Sequence, residues 1–371
     1  MNHTQKPKRN DAVDALRLIA AFLVVLVHFP LDLPTGWYQS VIWIGRTCVP
    51  IFILISGYLL GRAPRPASRC LKQFPGILRT AVLGSLLHPA FYLSYYQLSG
   101  KTGYIEPYLR EMSRERFIDW LVFSDPIYGS HLWYLFAYAY ALLLMAFLLR
   151  WSPAWFQASI AAVTMVMYLA LGRYSFLFFG ENLNTKYARC FLVSILPQLI
   201  LGYFIGKYQK KALRPALLRV LLFGSIGMLL IEGRLTSLVS VEIQNGAHQY
   251  FFNVVCGVIL LEMAMAWPVT EHSILTEGIV EFLGRLGRKY SLTIYVVQYI
   301  IYTVVYTLLA VYWENTEYAG WIQKNKPLVI FLSCLLFAIV YVNLKLLLLG
   351  ALKKIFRRRK RIEERQNDDG K

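Results

Sequence analysis

Apolar runs about twenty residues long recur from one end of this chain to the other, and they commit it to a membrane. A helix rises about 1.5 Å per residue, so roughly 20 apolar residues cross the hydrocarbon layer. Such runs fall at about 12–30, 39–60, 76–96, 131–150 and 154–172, then at 190–207, 216–233, 248–267, 290–312 and 327–350. Only 16% of the residues are charged and 57% are hydrophobic, whereas soluble domains carry roughly 25% charged residues. A water-soluble globule is excluded. The sequence predicts an all-α, polytopic transmembrane helix bundle of about ten spans over residues 1–352. A basic cytoplasmic tail, 353–371, follows and is too polar to order.

Charge placement orients the bundle. Of the 39 Lys and Arg, 25 fall in the tails and loops that are cytoplasmic if the amino terminus is inside, and 10 in the outer loops. This bias puts both termini in the cytoplasm. The net charge of +18 therefore reads as anchoring to membrane lipid, above all through Lys353 to Arg361, and not as a nucleic-acid surface. Five cysteines, Cys48, Cys70, Cys190, Cys256 and Cys334, lie scattered in or beside apolar segments without metal-ligand spacing. They read as packing residues, and no metal is expected. The first run follows basic Lys6, Lys8 and Arg9, as a secretory signal would, but lacks a small-x-small cleavage site and contains Asp14, Arg17 and His28; it is expected to be retained. In the longest outer loop, Gln97 to Ser130, the segment 116–123 suits a short interfacial helix.

Three ionisable residues inside one span need a reason, because each is costly in hydrocarbon unless it faces a polar cavity or a partner. At about 100° per residue, the eleven steps from Arg17 to His28 return to nearly the same helix face while rising about 16 Å. Asp14 is close enough around the helix to pair with Arg17. An ion pair at the cytoplasmic rim would explain those two but not His28, a side chain suited to take a proton near neutral pH. The second span adds Arg46, the helix-breaking Pro50, and Ser56-Gly57-Tyr58, a small pair that permits close helix approach. A basic stretch follows, with Arg69, Lys72 and Arg79, on the side where a nucleotide-bearing donor would be met. Positive-inside anchoring explains the same residues. The fourth span opens with His131-Leu-Trp133-Tyr-Leu; an interfacial aromatic belt accounts for Trp133 and not for His131.

Arg17-x10-His28, Pro50-x5-Ser56-Gly57-Tyr58 and His131-Leu-Trp-Tyr-Leu, on the first, second and fourth spans, together resemble the acyltransferase-3 family of integral membrane acyltransferases. The likeness covers essentially the whole chain. It is closest to short members without an extracytoplasmic esterase-like domain, such as bacterial surface-polysaccharide O-acetyltransferases. One position departs: Tyr290-Ser291-Leu-Thr-Ile-Tyr295-Val-Val-Gln298 is similar to a late family motif that ends in histidine, and glutamine cannot take a proton.

The resemblance implies O-acyl transfer, most often of acetyl, from cytoplasmic acyl-CoA to a hydroxyl of an envelope polysaccharide or its lipid-linked precursor, in a bacterial inner membrane. His28, Arg17 and His131 are the expected catalytic residues. Arg17, Arg46, Arg69, Lys72 and Arg79 are the expected acyl-CoA ligands, and Asp14, Ser56, Gly57, Tyr58 and Trp133 the supporting ones. Acetyl-CoA would enter as a substrate, with no permanently bound cofactor. A transporter or flippase for a lipid-linked sugar would also use intramembrane charges, but needs no base held in register with an arginine. A scaffold without activity would be favoured by a dispensable His28.

Overall fold

The computed structural model describes residues 10–209, 211, 213–239, 249–269, 273–312 and 316–368, with side chains as far as Ala351 except that of Val269. Its helices run in the order α1 Asp11–His28, α2 Thr35–Gly45, α3 Cys48–Gly61, α4 Pro66–Leu98, α5 Ile105–Arg110, α6 Arg114–Phe123, α7 Trp133–Trp151 and α8 Ala154–Leu171. Then come α9 Ser175–Phe179, α10 Thr185–Arg189, α11 Phe191–Ser194, α12 Leu196–Tyr208, α13 Pro215–Val239, α14 Phe251–Ala266, α15 Ile274–Tyr312, α16 Glu317–Lys324 and α17 Lys326–Asp368. No strand occurs among the described residues. Lys6, Lys8 and Arg9 and the side chains of the basic tail lie outside the described residues.

Each of the ten predicted spans is helical. Seven of the described segments are long and apolar enough to cross a bilayer: Thr35–Gly61, Ser130–Trp151, Ala154–Leu171, Phe191–Tyr208, Pro215–Val239, Ile274–Tyr312 and Lys326–Ala351. The chain is a multi-pass membrane protein. The other three predicted spans correspond to α1, α4 and α14. Helix α14 is 16 residues long, α1 carries Asp11, Asp14 and Arg17, and α4 is rich in tyrosine, serine and proline. Helices α1 and α4 line polar cavities, so neither needs an apolar surface all round.

In a bilayer, helices associate through packing and hydrogen bonds, since lipid tails are as apolar as leucine. Small residues set the two closest approaches. Gly57 and Gly61 of α3 face Gly202 and Gly206 of α12, and a Cβ at any of the four would collide with the opposing backbone. Gly284 and Gly287 likewise bring α15 against the α1 backbone at Asp11 and Asp14. Helix α1, buried along most of its length, is thus held between α15 and the α3–α14 side, with Asn10 capping Ala12 and Val13 and donating to Ala264 O at 2.8 Å. Pro50 sits in the first turn of α3, where a missing N–H is tolerated, and the chain turns at Arg46 and Thr47 just before it. The segment 116–123 lies in α6, capped by Ser113 Oγ. Asp125 accepts from Arg116 at 2.9 Å and from Arg189 at 3.0 Å, and Asp119 accepts from Lys186 at 2.9 Å. These ion pairs tie the outer loop to α10.

Candidate active site

Two cavities stacked through the bundle meet at a pair of tyrosines. The inner one, about 430 Å³, is walled by Arg17 of α1, Phe52 and Ser56 of α3, Lys72, Gln73 and Thr80 of α4, Tyr134 and Tyr138 of α7, and Arg288, Ser291 and Tyr295 of α15. Its charge is cationic. Asp14, buried at the α1–α15 contact, accepts from Arg17 Nη1 at 3.0 Å and from Arg288 Nη1 at 3.2 Å, while Asp11 lies 3.6 Å from Arg288. One carboxylate therefore positions two planar guanidiniums on the cavity wall beside Lys72. Such forks suit the oxygens of a phosphate.

The outer cavity, about 310 Å³, is walled by His28 of α1, Arg46 and Cys48 at the α2–α3 junction, Ser130, His131, Trp133 and Tyr134 around the start of α7, Arg189 of α10, and Tyr295 and Tyr299 of α15. Tyr134 and Tyr295 belong to both cavities. Their rings meet edge-on at 5.9 Å between centroids and form the shared wall.

Hydrogen bonding orders the histidines. His28 Nδ1 lies 3.0 Å from Tyr299 Oη. When Nδ1 carries the proton and donates it to that oxygen, Nε2 is left as the basic nitrogen. The His131 ring stands 4.7 Å from the Tyr299 ring and 6.4 Å from that of His28. Tyr295 Oη donates to the His131 carbonyl, which fixes the turn that begins α7. Beyond His131 a vestibule of about 350 Å³ is walled by His88, Tyr92, Tyr108, Glu111, Arg116, Tyr128 and Tyr299. His88 Nδ1 must donate to Gly84 O, 2.8 Å away, since a carbonyl only accepts; its ring is 5.0 Å from that of His131. Burial, with Tyr128 stacked on it at 4.6 Å, pushes the Tyr108 phenol up, so it stays a protonated donor.

The structure brings His28 and His131 together with Trp133, and brings Arg17 together with Lys72 and Ser56. Asp14 pairs with Arg17 as its spacing predicts. Gly57 is a helix-packing residue, and Tyr58 offers its backbone to Gly206 of α12. Arg46 stands apart from the other expected acyl-CoA ligands: the break before α3 puts it on the outer cavity with His28. Arg69 and Arg79 lie on α4 outside the walls of the inner cavity. Gln298 is fully buried in α15 and walls neither cavity, and its side-chain N and O atoms have no hydrogen-bond partner.

Sequence reading alone missed His88, Arg288, Tyr295 and Tyr299 as parts of the site. Arg288, Ser291, Tyr295 and Tyr299 recur at steps of three and four, a polar stripe on one helix face. His88 was also visible as an ionisable residue within a predicted span.

The sequence profile of the acyltransferase-3 family, described as an acyltransferase domain, matches residues 10–344. No curated protein and no solved structure matches the chain significantly. The matched region runs from the cap of α1 into α17 and contains both cavities and the wall between them. The chain belongs to the acyltransferase-3 family of integral membrane acyltransferases.

Proposed function

We propose that this protein transfers an acyl group, acetyl in the first instance, from cytoplasmic acyl-CoA to a hydroxyl of a cell-envelope glycan or its lipid-linked precursor. The observation that carries the reading is the pair of cavities, one walled by Arg17, Lys72 and Arg288 and the other by His28 and His131, separated by Tyr134 and Tyr295. Phosphates of CoA bind to the guanidiniums of the inner cavity, and the thioester arm passes between Tyr134 and Tyr295 so that its carbonyl reaches the outer cavity. In the outer cavity His28 Nε2 takes the proton of the sugar hydroxyl as its oxygen attacks the thioester carbonyl. The new C–O ester bond forms, the C–S bond breaks, and CoA leaves inward as the thiolate. Tyr299 holds the His28 ring. Arg46 and Arg189, on the outer wall, supply positive field for the developing oxyanion, a contribution that grows in a site shielded from water.

The flippase alternative calls for a continuous path wide enough for a whole sugar. Two cavities divided by an aromatic wall, in a member of an acyltransferase family, favour transfer of a small group instead. Bacterial membrane vesicles with the cytoplasmic face outward test the proposal: acetyl-labelled acetyl-CoA should deliver label to glycan inside the vesicle, dependent on this protein. Label that stays in CoA, with the glycan of producing and deficient cells identical, would refute it.

A further inference from the structure

A fourth concavity lies near the vestibule, at the surface of the bundle. Its walls are the outer end of α4, with Phe91 and Leu98, and the outer end of α15, with Val304, Leu308 and Val311, and its volume is about 950 Å³. Leu98, Leu308 and Val311 are exposed, so the groove opens outward from the bundle. Its floor is polar and pinned. Tyr92 Oη lies 3.1 Å from Thr303 Oγ1, and Thr307 Oγ1 donates to Tyr95 Oη at 3.2 Å. At its outer end Lys101 donates to Tyr95 Oη at 3.3 Å and stands 5.5 Å above that ring.

Position gives the groove its meaning. Thr303 walls the groove and pairs with Tyr92, which walls the vestibule, and Tyr299, one helical turn inward of Thr303, walls both the vestibule and the His28 cavity. An apolar trough therefore ends at a single ammonium and adjoins an aromatic, hydroxyl-rich chamber that leads to the candidate base. Tyr96 and Tyr108, with rings 5.9 Å apart, continue the aromatic surface from α4 into that chamber.

We propose that this groove seats the apolar chain of a polyprenyl-phosphate carrier, with its phosphate against Lys101 and its sugar in the vestibule, so that the acyl acceptor is a lipid-linked glycan. The chemistry of such a molecule, hydrocarbon, anion and carbohydrate, is matched by the groove, by Lys101 at the groove's outer end, and by the vestibule across the Tyr92–Thr303 pair. An ordinary two-chain phospholipid also has a tail and a phosphate, but it gains nothing from the adjoining chamber. What happens to the bound sugar rests on the acyltransferase reading above; the seat for the carrier rests on the groove itself.

The test uses the full chain in phosphatidylcholine nanodiscs and a polyprenyl phosphate bearing a diazirine near its phosphate end. Photolabel should concentrate on residues 91–101 and 302–311. Unlabelled polyprenyl phosphate should displace it at least about tenfold more effectively than either polyprenol or phosphatidylglycerol. Lys101→Ala should abolish the preference for phosphate over alcohol, and Thr307→Trp should empty the groove with thermal stability unchanged. Val311→Trp, at the exposed rim, replaces Thr307→Trp if that variant inserts poorly. Label spread evenly around the lipid belt, or displaced equally well by phosphatidylglycerol, would mean bulk lipid only and overturn the proposal. Focused labelling in a protein that transfers no acyl group from acyl-CoA would refute the acyltransferase reading and leave the carrier seat standing.

Discussion

His28 is the residue on which the proposed chemistry turns, because it stands on the outer cavity with one ring nitrogen held by Tyr299, whereas His131 Nε2 faces the Val296 carbonyl and can only donate to it. His28→Gln keeps hydrogen bonding and loses the proton-accepting nitrogen. Protein produced at the normal level should lose roughly 100- to 10,000-fold in transfer rate, measured with labelled acetyl-CoA; a rate within a few-fold of wild type would reduce His28 to a structural role. Arg17→Ala should weaken acyl-CoA binding by roughly 10- to 100-fold, corresponding to a charged hydrogen bond of about 1.5–3 kcal/mol. Arg17→Lys should also fall short, since an ammonium lacks the fork that Asp14 holds in place. Calorimetric affinity that stays normal in both variants would return Arg17 to the membrane rim. These two residues, with Asp14, were legible in the sequence because they lie on one helix, where periodicity alone fixes which side chains share a face. Tyr299 and Arg288 were legible only as members of a polar stripe on one helix face, and the site that the stripe serves emerges when α15 is laid against α1. Arg46, expected among the donor ligands, walls the outer cavity, because charge and span number say little about depth when a helix breaks midway.

At the level of helices, the α3–α12 crossing is a backbone-to-backbone joint. Four glycines let the two backbones touch, so a branched side chain there cannot be absorbed by rotamer changes. Gly202→Leu should destabilise the bundle by roughly 1–3 kcal/mol or more, read as a lowered thermal midpoint in detergent. Because Ser56 lies beside Gly57 on the inner cavity wall, activity should fall in parallel. A variant with an unchanged midpoint would show that the crossing is looser than its geometry. The Ser56-Gly57 pair announced close approach in the sequence, yet the partner helix was hidden, since Gly202-x3-Gly206 reads the same whichever helix it meets. The breaks that build the outer cavity, at Arg46–Thr47 and in the turn before α7, were foreshadowed only by Pro50 and by the polar His131.

Taken as a whole, the molecule shows why apolar runs predict helices better than they predict a count of spans. All ten runs are helical, but α1 and α4 sacrifice hydropathy to line cavities and α14 is short. Ten spans with both ends cytoplasmic is the arrangement that the 25-to-10 division of basic residues favours. Reporter fusions after Ala351 and in the 97–130 loop should report opposite sides of the membrane; a carboxyl-terminal reporter active only outside would sink the topology. The tyrosine wall also gives the enzyme an electrical character. On the proposed chemistry the hydroxyl proton is shed on the outer side while the thiolate is reprotonated from the cytoplasm, so each turnover moves the equivalent of one positive charge outward. Against an inside-negative potential that work amounts to about 2.3 kcal/mol per 100 mV if the whole field is crossed. Modification of the cell surface would thereby be coupled to the energised state of the membrane, with transfer running faster in vesicles whose potential has been collapsed by an ionophore.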